Sequence, residues 1–337
     1  MGIIGYRVIG ILVAMGVLVQ QVPLATEAWG QAVWRPAKPV EIIVPTAAGG
    51  ENDRVARQIQ RILQEKKVVP TPVLVVNQPG GNQLLAVVRL VKNAPDPHFL
   101  LYATGTSITT NEIAGLTKID YHDVTPVSKL LCDNTALTVR VDSPIKNMRD
   151  LIDRLKADVK AVSFGTVSRG GANHLVLARA MRSAGIDPKA LKLVIFKTNA
   201  ESMTAVMGRH LDVVASSVSA AFNNVQAGTL RMLSVSSSER LTDPLAGVPT
   251  MAESGLDVSG VTNCRYICAP KGITGAQRTF WENAMAVVND DEEWKKDIAE
   301  RNQTRSFLRG KEMETHLDET YKATRAAMID IGLAKAR

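Results

Sequence analysis

Three cysteines in 337 residues, Cys132, Cys264 and Cys268, are too few for a disulfide framework and lack metal-ligand spacing. Cys264 and Cys268 lie four apart in what reads as a strand, too far to pair with each other. One bridge from Cys132 to either is open in an oxidising compartment, and buried thiols are the expected state. Aromatic residues make up 4% of the chain, which argues against an aromatic-lined sugar cleft or a base-stacking platform. No nucleotide loop, H-E-x-x-H or C-x-x-C occurs, and Gly165-Thr166-Val167-Ser168-Arg169-Gly170 lacks the spacing of a nucleophile elbow. Neither an enzyme nor a cofactor or metal site is expected. Lys and Arg outnumber Asp and Glu by 40 to 33, a formal charge of +7. Their only doublets are Lys66-Lys67 and Lys295-Lys296, so there is no nucleic-acid stripe. A mild positive field of this kind favours the arrival of anions.

What is present begins with a leader-like segment. Arg7 precedes an apolar run over 8–19, and Gly30-Gln31-Ala32 offers a cleavage site, so residues 1–32 read as a secretory signal peptide. That run is short of the roughly 20 residues a membrane span needs, and none longer follows. The remainder is long enough for two domains at about 150 residues each.

Apolar β-formers alternate with helical patterns along the chain. Strands are expected near 41–44, 73–77, 99–103, 161–164, 191–196, 211–215, 230–234 and 265–269. Helices are expected near 53–65, 84–91, 147–155, 173–184, 200–207, 220–227, 274–289, 292–301 and 311–331. Residues 130–141 hold β-formers that link regions. This alternation predicts an α/β fold with mostly parallel sheets.

Two strand-to-helix turns stand out. Val44-Pro45-Thr46-Ala47-Ala48-Gly49-Gly50 leads into a helix near Asp53, and Phe164-Gly165-Thr166-Val167-Ser168-Arg169-Gly170-Gly171 leads into one near Asn173. Unpaired amides at such turns attract anions, and without a P-loop lysine the better guest is a carboxylate. Two turns of this kind in separate halves suggest two sheets whose helix N-termini face one cleft. Asp53 sits in a first helical turn and reads as a loop organiser rather than a ligand contact.

Several segments, in order, carry a resemblance to a known family. They are Ile43-Val44-Pro45 with Ala48-Gly49-Gly50 and Asp53; Asn77-Gln78-Pro79-Gly80-Gly81; Tyr121-His122-Asp123-Val124-Thr125-Pro126; Phe164-Gly165-Thr166 with Gly170 and His174; Ala227-Gly228-Thr229-Leu230-Arg231; and Gly247-Val248-Pro249-Thr250-Met251. The chain resembles the periplasmic substrate-binding proteins of tripartite tricarboxylate transporters, the Bug family. The resemblance implies a two-domain, periplasmic-binding-protein-like clamp (a Venus flytrap) with the ligand cleft between two mixed, mostly parallel sheets. Domain 1 would comprise 33–136 plus 262–337, and domain 2 would comprise 137–261. It implies an exported, monomeric protein that captures a small organic acid and hands it to the membrane permease subunits. A ligand-sensing subunit for a signalling partner, or a homologue with altered or lost binding, are the alternatives.

The family's ligand residues map here to Thr46, Ala47, Ala48, Gly49 and Gly50, with Asp53 behind them. From the second half come Thr166, Ser168, Arg169, Gly170 and Gly171, with His174, Ser216 and Ser217. Thr104 and Ser107 face the cleft from a further turn. The chain departs from the family at Thr46, where Phe is common, and at Gly171, where Ser or Thr is common. It also departs at Arg209, Asn263 and Arg265. Amino-acid-binding relatives carry an acid at the position of Ser216, so an amino-acid guest is disfavoured. An arginine reaching the cleft, Arg169 or Arg265, would clamp a dicarboxylate.

Overall fold

The computed structural model describes residues 1–2, 34–259, 261 and 263–334. The expected leader therefore lies outside the described residues, apart from its first two.

From Trp34 the chain alternates as its apolar periodicity predicts. The first run is β1 (Val40–Val44), α1 (Glu51–Glu65), β2 (Val73–Asn77), α2 (Leu84–Lys92), β3 (Phe99–Thr104), a short α3 (Asn111–Ile113) and β4 (Val124–Asp133). The chain then crosses to a second sheet through β5 (Thr135–Arg140), α4 (Met148–Ala157), β6 (Ser163–Val167), α5 (Ala172–Ser183) and β7 (Lys192–Phe196). It continues through α6 (Asn199–Met207), β8 (Val213–Ser217), α7 (Val218–Gln226) and β9 (Leu230–Val235). It returns through β10 (Asn263–Pro270) and closes with α8 (Gly275–Asp290), α9 (Glu292–Glu300), β11 (Thr304–Arg309) and α10 (Gly310–Asp330).

The sheet orders are β11-β4-β10-β3-β1-β2 and β7-β6-β8-β5-β9. Both are mixed. β1 pairs in parallel with β2 and β3, and β10 lies antiparallel between β3 and β4. β6 pairs in parallel with β7 and β8, and β5 runs antiparallel between β8 and β9. The antiparallel strands β5 and β10 are those that carry the chain across between sheets. The β-former run at 130–141 is therefore two strands, one in each sheet, with Asn134 between them. Residues 304–309 carry weak alternation and lie largely exposed on a sheet edge, so they give no strand signal in the sequence.

Each sheet is covered on both faces, which is why its inner strands read as unbroken apolar runs rather than alternating ones. On one face of the first sheet Val55, Ile59, Ile62 and Leu63 of α1 meet Trp281 and Trp294; on the other, Leu90 of α2 packs with Leu101 and Tyr266. Removing such a fully buried aliphatic side chain from water contributes about 1.5–3 kcal/mol. The second sheet is covered likewise, by Leu151, Leu177 and Met181 on one face and by Met203, Val218 and Phe222 on the other.

The expectation of three buried thiols is corrected. Cys132 and Cys264 face each other across β4 and β10 and form a disulfide, and Cys268 alone is free and buried. The antiparallel register that brings the two together sets residues 132 apart in sequence side by side, which spacing alone does not reveal.

Candidate functional site

The loop after β1 is organised by the helix that follows it. Gly50 is the N-cap of α1 and its backbone is extended, so it offers no side chain to the first-turn N–H groups. Gly49, at φ +81°, donates its N–H to Asp53 Oδ2 at 2.9 Å, and Arg57 Nε donates to the same oxygen at 3.0 Å. Burial pushes the Asp53 carboxyl up, but bonds from Arg57, the Gly49 N–H and Asn77 outweigh it and hold it below its ordinary value. Asp53 thus organises the loop.

The loop after β6 repeats the design with a different acceptor. Gly171 is the extended N-cap of α5, again without a side-chain cap. Gly170, at φ +73°, donates its N–H to His174 Nδ1 at 2.8 Å. An accepting Nδ1 requires a neutral ring with its proton on Nε2. Burial first, and the Arg169 charge second, push the His174 pKa down to about 4, which keeps the ring neutral.

Side chains of the first sheet's lobe close over this second loop. Thr104 Oγ1 donates to Gln83 Oε1 at 2.6 Å, and Gln83 Nε2 donates to Ser168 Oγ at 2.8 Å. Asn82 Nδ2 donates to the Arg169 carbonyl at 3.1 Å, and Thr110 Oγ1 to the Gly170 carbonyl at 3.2 Å.

Between the loops lies a cavity of about 70 Å³. A water takes roughly 10–15 Å³ on this measure, so the space holds a few small polar groups. Three helices open onto it with no side-chain cap: α1 at Gly50, α5 at Gly171 and α7 at Ser217. Their dipoles place positive potential on the cavity from both lobes, although the first N–H of α7, on Val218, is donated to the Asn134 carbonyl at 2.8 Å.

The cavity's charged side chains are Arg265, Glu51 and, at its exposed edge, Lys197. Arg265 is buried; it donates to Asn52 Oδ1 at 3.1 Å and Asn263 Oδ1 at 2.6 Å, and reaches Glu51 Oε2 at 3.5 Å. Glu51 also accepts from Gln303 Nε2 at 2.8 Å and from Ser217 Oγ at 3.3 Å. Behind it Asp133 accepts from Ser219 Oγ and Gln303 Nε2. Burial, and next the Glu51 charge, raise the Asp133 pKa above the carboxylate range. The acidic charge looked for at position 216 thus enters beside Ser217 from the opposite lobe, on Glu51.

The sequence-derived residues divide three ways. Thr46, Gly50, Thr104, Ser168, Gly171 and Ser217 line the small cavity. Ala47, Arg169 and Gly170 line only a larger chamber beside it, which Thr46 and Ser168 also border. Ala48, Gly49, Asp53, Ser107, Thr166, His174 and Ser216 line neither. Ala48 and Gly49 are exposed, whereas Ser107, Thr166 and Ser216 are buried and bonded to backbone carbonyls of Thr104, Ala215 and Ser217. Of the two arginines, Arg265 reaches the small cavity and Arg169 the chamber.

Glu51, Asn52, Gln83, Asn173 and Asn199 also line the cavity and were not expected there, while Thr106 lines it from within the 104–107 turn expected to face the cleft. Glu51, Asn52 and Asn173 occupy the first turns that follow the two glycine loops, so carrying the helix-terminus argument one turn further finds them. Nothing local to Gln83 marks it. Among the described residues no cluster of three His, Cys, Asp or Glu could hold a metal.

Comparison with known proteins matches residues 55–316 to the family described as the tripartite tricarboxylate transporter family receptor. A Cupriavidus necator protein from the gbd 5′ region is 26% identical over 316 residues, 93% of each chain. BugT of Bordetella pertussis is 27% identical over 240 residues, 70% of this chain and 72% of its own. Among solved structures, a Rhodopseudomonas palustris protein with adipate has a TM-score of 0.81 at 21% identity, covering 89% of this chain and 99% of that one. MatC of the same organism, with bound malate, has a TM-score of 0.75 at 21% identity, covering 87% and 99%. These two likenesses establish the two-sheet clamp fold.

Proposed function

The chain belongs to the tripartite tricarboxylate transporter receptor family, a family of substrate-binding receptors and not enzymes, and from that premise we propose that it captures a small organic acid in the periplasm and delivers it to the membrane permease. The observation that carries this reading is the convergence of three helix N-termini without side-chain caps, from both lobes, on one cavity beside a buried arginine. Such a site satisfies a carboxylate's lone pairs without a metal or an unpaired lysine. The acid joins amides of both lobes at once, so it favours the closed clamp over the open one. Malate and adipate in the structural neighbours are acids of the class the cavity suits. On this reading the first sheet's residues, 34–133 with 263–334, make one jaw and the second sheet's, 135–259, the other, so the expected boundary at 136 moves to Asn134. The Cys132–Cys264 disulfide suits an oxidising compartment, and no helix among the described residues is long and apolar enough to cross a membrane.

Thermal unfolding against a panel of organic acids tests this. An acid at 100 times its dissociation constant adds about 2.7 kcal/mol of stability, a shift of several degrees. The reading fails if protein freed of co-purified ligand shows no shift with mono-, di- or tricarboxylates.

A further inference from the structure

The small cavity does not end at its own walls. Thr46, Gln83, Val167, Ser168 and Lys197 separate it from a chamber of about 1050 Å³ and line both. The two spaces differ in chemistry. The cavity is ringed by amides, hydroxyls and charges. The chamber is walled by Pro45, Leu116, Met328 and Leu333 from one lobe and Ile195 and Phe196 from the other. Leu116 is 63% exposed and Ile195 39%, so large apolar side chains face open space where burial would be expected. Arg169 and Lys197 are exposed cations at its edge. On the shared wall the Thr46 hydroxyl is buried without a hydrogen-bond partner.

We propose that the chamber receives the apolar body of the guest, and that the acid is a monocarboxylate carrying an alkyl or aromatic body of about six carbons or more. This rests on the acid-receptor reading and narrows it. The cavity alone, at about 70 Å³, has space equivalent to about five waters and takes a carboxylate head. A second carboxylate would lie against Glu51 or among apolar side chains, where both placements cost free energy, or beside Arg169 and Lys197 at the chamber's edge, where exposed cations return little for holding it. An alkyl or aryl body instead removes Leu116, Ile195 and Phe196 from water as the lobes close. The chamber shares five wall residues with the acid cavity and is lined by both lobes, which points to a guest that reaches from one space into the other rather than to a surface for another protein.

Calorimetric titration of the protein with acetate, butanoate, hexanoate, octanoate and benzoate, beside succinate and adipate, tests the proposal. Each added methylene should tighten binding about fourfold. Octanoate should exceed adipate at least tenfold, with a heat-capacity change that grows more negative along the series. Leu116→Asp, at an exposed position, should cost octanoate at least ten times more affinity than it costs acetate, and Ile195→Asp should do the same from the other lobe. Succinate or adipate binding more tightly than octanoate would overturn the chamber's role and leave the acid receptor standing. So would equal losses for octanoate and acetate in both variants. Silence from every acid of both series would remove the receptor reading itself, and the chamber proposal with it.

Discussion

The two glycine loops share a backbone plan and differ in what surrounds them. In each, a glycine at positive φ donates its N–H to a side chain four residues on, and the next glycine caps a helix without a side-chain bond. A Cβ placed on Gly49 would meet nothing within 4 Å, whereas one on Gly170 would lie 2.6 Å from Thr110 Cγ2 across the cleft. On Gly171 it would lie 2.8 Å from Thr106 Oγ1. The first loop therefore needs glycine for its dihedral alone. The second needs it also because the opposite lobe comes to rest on it. One loop presents amides and the other is also the surface on which the clamp shuts.

The sharpest break of that comparison is a matched pair of alanines. Gly170→Ala and Gly49→Ala carry the same φ cost, so they differ in the contact across the cleft. Overpacking of this kind costs about 1–3 kcal/mol. Gly170→Ala should weaken acid binding by about 10- to 100-fold in calorimetry, while Gly49→Ala should leave affinity within about threefold. Equal losses would show that the second loop is not the closing surface.

The acceptors differ too, and pH separates them. His174 is neutral in the fold with its pKa near 4, against an ordinary 6.5, so the unfolded chain takes up its proton first. Its contribution is complete above about pH 6.5 and is lost as the pH falls toward 4, a loss of about 2 kcal/mol by pH 5. Asp53 has a lowered pKa, so its contribution is present above the ordinary carboxylate range and is lost only as the pH falls through its folded value. Urea unfolding at pH 7 and pH 5 should show the His174 loss, and His174→Asp should move it to below about pH 4. An unchanged pH profile in that variant would mean that the ring does not set the second loop's acid sensitivity.

The smallest effect belongs to the first loop. Gly49→Ala should reduce stability by about 1–2 kcal/mol, the cost of a left-handed alanine with no clash added. A larger loss would mean that the first loop is packed more tightly than its open surroundings allow.

Much of this was legible in the residues. The alternating periodicity predicts most strands and helices within two or three residues, because apolar runs of β-formers and amphipathic helices carry local signals. The edge strand β11 and the split of the 130–141 run into β4 and β5 were not, since both depend on which sheet a segment joins. At the site, both loops could be read from their glycines. Glu51 and Gln83 could not be singled out, because a Glu at a helix start is ordinarily a solvated first-turn acid and Gln83 matters by joining Thr104 to Ser168 on the far lobe. The disulfide partner likewise depends on register across the sheet.

Hydrogen exchange of the backbone amides, with and without saturating acid, tests the account most directly. The first turns of α1 and α5, at residues 50–53 and 171–174, should slow together, because one guest occupies both. Slowing confined to one lobe, or slowing elsewhere with both loops unchanged, would contradict capture of the acid between the two glycine turns.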